Sequence, residues 1–256
     1  MIETHAHIYY DPFDDDQEEM INRAKEVGIK KVFLPNVDSS SIDRMLALEA
    51  KYPDYCVAMM GLHPCSVKEN VEEELSLVTS WMEKRDFVAV GEIGLDLYWD
   101  KTFYEQQKHA FQYQIDLAKK YKKPIIIHSR NSNEEAIEIL YQNADANLKG
   151  IFHCFSGTTE QAKRVTDLGM YIGIGGVVTF KNGGLNKVVP DIDLKHIVLE
   201  TDSPYLTPVP FRGKRNEPSY LTYIAEKIAE IKGVSVQEVN EVTTQNALDA
   251  FNYGTI

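Results

Sequence analysis

Two histidines near the start of the chain have a spacing that suits a shared metal ion. His5 and His7 are separated by a single residue, and side chains at positions i and i+2 of a β-strand project from the same face. Both imidazoles can therefore reach one cation. Such a pair is weak evidence by itself, because two nearby histidines are more often incidental than ligands.

Four more side chains that can bind metals end or follow short apolar runs elsewhere in the chain. The runs at 87–91, 124–127, 150–152 and 197–201 lead to Glu92, His128, His153 and Asp202. If these runs are parallel strands of a barrel, their carboxyl ends share one rim, where the active sites of such barrels are built. Closure of the barrel would bring His5 and Asp202 together although they lie near opposite ends of the chain.

Together the six side chains offer four imidazoles and two carboxylates, enough to hold two divalent metal ions if one carboxylate bridges them. Glu92 is the expected bridge, because it lies on the strand between those that carry the two ligand groups. The predicted ligands are His5, His7, Glu92 and Asp202 for one ion and Glu92, His128 and His153 for the other. These ligands suit Zn, Mn, Ni or Co, whereas Mg is less at home with four histidines.

The other three histidines occupy different predicted positions. His63 ends the third strand and faces the active rim, and it is not needed to complete either metal. We expect it to contact substrate, at a phosphate or a leaving group, rather than to be a core histidine. His109 lies in a predicted helix away from its apolar stripe, so it is expected at the surface. His196 precedes its strand at the opposite rim, where a structural or neutral role is expected.

The elements that must position these residues alternate along the whole chain. Strands are predicted to begin near Ile2, Val32, Cys56, Phe87, Pro124, Leu148, Met170 and His196. Amphipathic helices are predicted between them, including 103–121, 220–232 and 236–251, the last with Ser235 as its N-cap. Eight strand–helix pairs in about 250 residues are typical of a single (β/α)8 TIM barrel, an α/β fold. No linker or composition change divides the chain, so one domain over residues 1–256 is predicted.

The composition narrows the class of protein. Of 256 residues, 43% are hydrophobic and 26% are charged, as in ordinary globular domains. This excludes a disordered tail, a collagenous repeat and a small disulfide-stabilised protein. The net charge of −12 argues against a protein that coats nucleic acid by charge alone, since such binding needs lysine and arginine to replace counterions. It leaves open a nucleic-acid substrate held by metal ions.

Cysteine content and the N-terminus predict a cytoplasmic protein. The three cysteines, Cys56, Cys65 and Cys154, are odd in number and lack CxxC spacing, so reduced and mostly buried thiols are expected. Residues 1–5 contain neither the basic n-region nor the apolar h-region of a signal peptide. No apolar run approaches the roughly 18 residues of a membrane span, and no membrane contact is expected.

Several segments, taken in order, resemble the TatD family of metal-dependent hydrolases. They are residues 4–7 (THAH), 61–64 (GLHP), 91–96 (GEIGLD), 128–130 (HSR), 153–157 (HCFSG), 200–206 (ETDSPYL), 212–218 (RGKRNEP) and 244–247 (TQNA). The resemblance covers essentially the whole chain. It implies a TIM-barrel metallo-hydrolase with deoxyribonuclease activity, with the metals on the same six residues.

Two positions depart from the family's pattern. Glu3 stands before the histidine pair where the family usually has aspartate, and Ile8 and Tyr9 replace the Leu-Asp that commonly follows the pair. Neither departure touches a predicted metal ligand. Both lie beside the first loop, so their effect is expected on substrate preference near that part of the rim.

The residues and the resemblance together lead to the hypothesis of a two-metal phosphodiester hydrolase. Two ions about 3.5–4 Å apart would lower the pKa of a shared water and give hydroxide near neutral pH. The predicted catalytic residues are Asp202 and the bridging Glu92. Asp202 would hold a metal with one oxygen and take the water's proton with the other. Glu200 is expected to orient a ligand from behind, although a buried carboxylate paired with a cation would give the same pattern.

Positive and aromatic side chains in loops near the rim are candidates for binding substrate. The predicted contacts are His63, Arg130, Tyr205, Arg212, Lys214 and Arg215. An arginine fork can bond two phosphate oxygens at once, although Lys214 and Arg215 can equally be solvated loop charges. Tyr98, Trp99 and Tyr205 can stack on the bases of a single strand or pack beneath the loops. A positive rim on an acidic chain predicts weak, salt-dependent binding and cleavage of DNA ends, single strands or nucleotides.

Two other classes of function stay open. The same metals could direct attack on carbon, which would make the protein a metallo-amidohydrolase or an esterase acting on a small amide, lactone or aminoacyl ester. The basic loop at 212–215 favours phosphate over these. A barrel that only binds a partner is disfavoured, because all six metal-binding candidates are present. No obligate protein partner is predicted.

Overall fold

Eight parallel strands alternate with helices in the part of the chain that the computed structural model describes, residues 1–145 and 147–254. The strands are β1 (Ile2–Glu3), β2 (Lys31–Leu34), β3 (Cys56–Ala58), β4 (Val90–Asp96), β5 (Ile125–Arg130), β6 (Gly150–Phe152), β7 (Tyr171–Ile174) and β8 (Ile197–Leu199). The helices are α1 (Gln17–Glu26), α2 (Ile42–Lys51), α3 (Val71–Lys84), α4 (Tyr104–Tyr121), α5 (Asn133–Asn143), α6 (Thr159–Asp167), α7 (Leu185–Val188), α8 (Leu221–Lys232) and α9 (Val236–Ala250).

The strands follow one another in circular order. Strands β1–β2–β3 form one sheet and β4 to β8 form another. Isolated parallel bridges join the sheets at both seams, Met60 with Val90 and Ala6 with Ser203. The backbone N–H of His7 donates to the Ser203 carbonyl at 2.7 Å across the second seam. This arrangement confirms the predicted (β/α)8 barrel, and most strands begin within two residues of the predicted starts.

The helices cover the outside of the strands with the apolar faces that the sequence pattern predicts. In α4, the predicted stripe of Phe111, Ile115 and Ala118 is fully buried. Helix α9 begins as predicted, because the Ser235 hydroxyl accepts from the Glu238 backbone N–H at 3.1 Å. No helix in residues 1–145 and 147–254 is long and apolar enough to cross a membrane.

Apolar side chains close the end of the barrel where the strands begin. The cluster there contains Ile2, Phe33, Met59, Ala89, Ile126, Ile151 and Val198 from the strand side, with Ala247, Leu248, Ala250 and Phe251 from the end of α9 and the residue after it. The rings of Phe33 and Phe251 stack with their centroids 3.9 Å apart. Since this end is packed, the polar interior lies at the carboxyl ends of the strands.

Strands β4 and β5 extend further than their apolar runs predict. Glu92 and His128 were expected at the carboxyl ends of their strands, but β4 continues to Asp96 and β5 to Arg130, and β4 itself begins at Val90 rather than near Phe87. The two strands stay paired through Gly94 with His128 and beyond, because backbone hydrogen bonding continues regardless of side-chain polarity. A Cβ atom at Gly94, whose φ is 134°, would collide with the His128 carbonyl, so the close pairing requires glycine here.

Candidate metal centre

The six predicted metal ligands come together at the carboxyl rim of the barrel. Five of them line a cleft of about 710 Å³, and His5 is fully buried beneath it. The residues that line this cleft are His7, Tyr10, Val37, His63, Cys65, Glu92, Asp96, Trp99, His128, Ser129, Arg130, His153, Cys154, Ser156, Val177, Asp202, Tyr205 and Leu206. Residues more than one hundred positions apart in the sequence thus line one pocket.

Glu92 lies at the centre, and its two carboxylate oxygens face two different groups of imidazoles. Oxygen Oε2 lies 3.0 Å from His5 Nε2 and 3.5 Å from His7 Nε2. Oxygen Oε1 faces His128 Nδ1 at 2.9 Å, His63 Nε2 at 3.3 Å and His153 Nε2 at 3.6 Å. A carboxylate that bridges two ions needs this division, with one oxygen for each group.

Asp202 completes the first group. Its Oδ1 lies 3.7 Å from His7 Nε2 and 3.9 Å from His5 Nε2, and its backbone N–H donates to the His5 carbonyl at 3.0 Å. These side-chain separations exceed hydrogen-bond lengths. They resemble the spacing of about 3.4 Å between two ligand atoms around one tetrahedral ion. The distances from Asp202 Oδ1 to the two imidazole nitrogens therefore suit binding of one shared cation better than they suit direct hydrogen bonds.

Burial and neighbouring charges set the protonation of the centre. Burial would raise the pKa of Glu92, but the imidazoles of His5, His63 and His153 and the hydrogen bond with His128 hold it well below its usual range. Burial, followed by the nearby His153, lowers the pKa of His5 well below its ordinary value. The result is an ionised carboxylate beside a neutral imidazole, the forms that bind metals.

Asp202 has the opposite shift. Burial raises its pKa to about 6, although His153 and His7 act against this. A carboxylate with a pKa in this range is still ionised at neutral pH, and it is a stronger base than an ordinary aspartate. It therefore has the capacity to accept a proton beside the imidazoles of His5 and His7.

Three side chains hold the imidazoles from behind. The Tyr9 hydroxyl oxygen contacts His7 Nδ1 at 3.1 Å, Asp96 Oδ2 contacts His128 Nε2 at 2.9 Å, and Glu200 Oε1 contacts His153 Nδ1 at 3.0 Å. Hydrogen-bonding partners of this kind fix the ring orientation and tautomer of metal-binding histidines. Tyr9 and Asp96 are within hydrogen bonds of their histidines, whereas Glu200 lies at ion-pair distance and His153 Nδ1 has no hydrogen-bond partner among the described residues. Sequence reasoning gave this role to Glu200 but missed Tyr9 and Asp96. Asp96 could have been noticed, because it is the last residue of the GEIGLD segment that resembles the family.

The pKa values of two of these histidines reflect the carboxylates behind them. Burial opposes protonation of His153, but Glu200 and then Glu92 outweigh it and raise its pKa to about 10. For His128, burial is again outweighed, by hydrogen bonds with Asp96 and Glu92, and its pKa is raised. The negative charge gathered here, from Glu92, Asp96, Glu200 and Asp202, is what bound cations would neutralise.

His63 lies beside the second group but turns a protonated ring nitrogen toward Glu92. Its Nδ1 accepts from the Cys65 backbone N–H at 3.0 Å, and burial lowers its pKa. A neutral ring that accepts at Nδ1 must carry its proton at Nε2, which faces Glu92 at 3.3 Å. This makes His63 a hydrogen-bond donor into the cleft rather than a lone-pair ligand.

The six predicted substrate contacts divide into two sets. Arg130 lines the cleft, as do His63 and Tyr205. The three loop cations lie against other partners: Arg212 over the Phe180 ring at 3.9 Å, Lys214 over Phe211 at 5.8 Å, and Arg215 over Phe13 at 4.5 Å with an ion pair to Asp16 at 2.6 Å. Arg215 is thus engaged with the segment that precedes α1.

The remaining two histidines lie where the sequence predicted. His109 has a half-exposed side chain on α4 and contacts Glu72 at 3.0 Å. His196 is partly buried and immediately precedes β8, at the opposite end of the strands from the cleft. All three cysteines are free thiols.

Comparison with known proteins identifies similar sequences and a similar fold over the whole length. The family described as TatD related DNase matches residues 2–252. The uncharacterized metal-dependent hydrolase YabD of Bacillus subtilis is 40% identical over 98% of both chains. The 3'-5' ssDNA/RNA exonuclease TatD of Pantoea ananatis is 31% identical over 93% of this chain and 94% of its own. The crystal structure of YJJV, a TatD homolog from Escherichia coli, superposes with a TM-score of 0.93 at 31% identity, covering 99% of this chain and 98% of that one.

Proposed function

Because the chain belongs to the TatD family of metal-dependent hydrolases, we propose that it cleaves phosphodiester bonds in single-stranded nucleic acid with water that two bound divalent ions would activate. The class of enzyme follows from the family; the substrate and the pair of ions are the proposal. The 31%-identical relative from Pantoea ananatis, named a 3'-5' ssDNA/RNA exonuclease, supports single strands as substrate and attack from an end.

The observation that carries the proposal is the position of Glu92 between two groups of imidazoles. One oxygen faces His5 and His7, and the other faces His128 and His153. A single ion would use one of these groups and leave the other as buried imidazoles around an ionised carboxylate. Two ions would use both, and the chemistry that they supply is activation of water and neutralisation of charge on the phosphate.

The protein's own residues divide the remaining work. Asp202 accepts the proton of the attacking water, since its pKa of about 6 keeps it ionised yet basic near neutral pH. His63 donates its Nε2 proton in a hydrogen bond to a phosphate oxygen or to the leaving oxygen. Arg130, at the mouth of the cleft, binds a phosphate oxygen with its planar fork. Attack places water opposite the leaving oxygen, whose bond to phosphorus breaks as the new bond forms.

Charge distribution favours ends and single strands over duplex DNA. The chain carries a net charge of −12, and Arg130 is the predicted cation that lines the cleft. Few phosphates can be neutralised, so binding without the metals is weak and falls with salt. A cleft whose described lining contains one arginine and no lysine suits a chain end better than a long duplex.

A direct test compares hydrolysis of end-labelled single-stranded DNA, single-stranded RNA and duplex DNA with that of an acyl ester. Each assay is run with Mn²⁺ or Zn²⁺ and again with a chelator. We expect metal-dependent shortening of the single strands from one end, lost in Asp202→Asn and His128→Ala. Hydrolysis of the acyl ester without cleavage of any phosphodiester would overturn the proposal in favour of an esterase or amidohydrolase.

A further inference from the structure

Two large aromatic rings at the mouth of the cleft are left open to solvent. The side chain of Trp99 is 69% exposed and that of Tyr98 is 50% exposed. Both lie in the loop that follows β4, and Trp99 lines the cleft. Large aromatic side chains stabilise a protein most when buried, so the exposure of these two rings beside the cleft points to a ligand surface.

The loop that carries these rings is fixed to the metal centre through Asp96. One oxygen of this carboxylate accepts from the backbone N–H groups of Tyr98 and Trp99 at 2.9 and 3.1 Å. The other contacts His128 Nε2 at 2.9 Å. The aromatic rings therefore have a defined position relative to Glu92 and its imidazoles, although they are exposed.

Arg130 joins the two rings into one surface. Its guanidinium carbon lies 3.8 Å from the Tyr98 ring centroid and 5.2 Å from that of Trp99. The two rings meet edge to face at 4.9 Å. Tyr98, Trp99 and Arg130, here called the rim platform, thus combine flat apolar faces with one positive charge. A nucleotide has the matching pair of features, a flat base and a phosphate.

We propose that the rim platform is a stacking site for the base of a nucleotide next to the scissile phosphate. This inference rests on the proposed function. The base stacks on the exposed face of Trp99, while Arg130, held in place by Tyr98, contacts the adjoining phosphate. Every base offers a π face, so the site accepts any sequence. In a duplex both faces of a base are covered by its neighbours, so the platform selects unpaired ends and single strands.

The decisive substrate is a single strand that lacks one base near the cleaved end. The wild-type protein is expected to cleave a complete end-labelled oligonucleotide more efficiently than the same strand with an abasic nucleotide, by about ten- to a hundredfold in kcat/KM. In Trp99→Ala this ratio should fall toward one. Trp99→Phe, which keeps a flat ring, should restore most of it.

Tyr141→Ala provides a matched control. Tyr141 is also exposed, at 42%, and also lies beneath an arginine, with the Arg164 guanidinium 5.3 Å from its ring, but it lies on α5 outside the cleft. The ratio should stay at the wild-type value in this variant. A ratio in Trp99→Ala equal to that of the wild type would overturn the stacking site and leave the proposed function intact.

Binding can be followed without turnover, because the chain has two tryptophans. In the Trp81→Phe, Asp202→Asn protein, Trp99 is the one remaining tryptophan, and its emission can be excited selectively over that of the tyrosines. Oligothymidylate should quench its emission with saturation, and an abasic strand of equal length should quench it several-fold less. Equal quenching by both strands would contradict the proposal.

A concentration-dependent dimer that is lost in Trp99→Ala, with no effect of nucleic acid, would assign the rim platform to a second copy of the chain instead. Failure of the wild type to cleave any nucleic acid would overturn the proposed function together with this site.

Discussion

The Tyr9 hydroxyl oxygen lies 3.1 Å from His7 Nδ1, and it donates its own proton to the Pro35 carbonyl at 2.6 Å. Because the hydroxyl proton is used, the oxygen can only accept from His7, which must carry its proton at Nδ1. The lone pair of His7 then lies at Nε2, which faces Glu92 and Asp202. One phenol therefore sets the tautomer that a metal ligand needs.

Removing this hydroxyl should weaken metal binding without removing a ligand. We expect Tyr9→Phe to lower the affinity for the ion on the His7 side by about 10- to 100-fold, measured by titration of the metal-free protein with Mn²⁺ or Zn²⁺. Tyr55→Phe is the control, since that phenol is also buried but has no hydrogen-bond partner among the described residues. Equal affinities in the wild type and Tyr9→Phe would refute the tautomer argument.

Asp202 should govern the acid side of the pH–activity profile. Its pKa, raised to about 6 by burial, predicts that kcat rises with pH as this carboxylate loses its proton. Bound cations favour the ionised form, so the midpoint should lie at or below about 6. Asp202→Asn should reduce kcat by about 10²- to 10⁴-fold, and its residual activity should lack this limb. A limb that persists in the variant would assign the proton transfer to another group.

The order of apolar runs made much of the centre predictable. In a barrel, residues that follow consecutive strands must meet at one rim, and this rule needs neither pairing register nor side-chain contacts. From this rule we predicted that His5 and Asp202 lie close together, although they are near opposite ends of the sequence. The loop at 212–215 had no such constraint, because its charges show their sign but not their partners. Arg215 pairs with Asp16, which lies near the other end of the chain.

Contacts behind the centre were harder to predict because they depend on register. Asp96 reaches His128 through the paired ends of β4 and β5, whose register is set by a shift between Val90 and Ile93 near the start of β4. A hydrophobic pattern gives no sign of such a shift. Tyr9 escaped notice for another reason. It stands where the related family commonly has aspartate, so it was treated as a departure rather than as a partner of His7.

The close approach of β4 and β5 at Gly94 should be essential to the centre. We expect Gly94→Ala to cost on the order of 3 kcal/mol or more, because the new methyl group would meet the His128 carbonyl and the φ of 134° is unfavourable for alanine. The strands would separate and displace Glu92 relative to His128.

Gly28→Ala is the matched control for Gly94→Ala. It also has a positive φ, 88°, but its Cβ would meet no atom within 4 Å, so about 1–2 kcal/mol is expected. Chemical denaturation gives the free energies, and similar losses in both variants would contradict the steric argument.

A second network, away from the cleft, should make stability depend on pH. Arg23 donates to both oxygens of the largely buried Glu217 at 2.8 and 2.7 Å and also to Asp16 at 2.9 Å. Burial would raise the pKa of Glu217, but the hydrogen bonds from Arg23 and Ser219 outweigh it and lower the pKa below its ordinary value of 4.5. A carboxylate with a lowered pKa in the folded state contributes stability above its unfolded pKa. This contribution is lost as the pH falls through the folded pKa.

Arg23→Met should therefore lower the free energy of unfolding at pH 7 by about 1–3 kcal/mol, toward the low end because the Arg23 side chain is 41% exposed. The difference from the wild type should shrink as the pH falls below about 4.5, since Glu217 in the variant is protonated more easily. Lys163→Met is the control, because its pair with Asp167 is largely exposed and such pairs contribute little. Denaturant unfolding at pH 7 and pH 3.5 measures both effects. A destabilisation by Arg23→Met that is equal at the two pH values would show that Arg23 acts through packing rather than through the charge of Glu217.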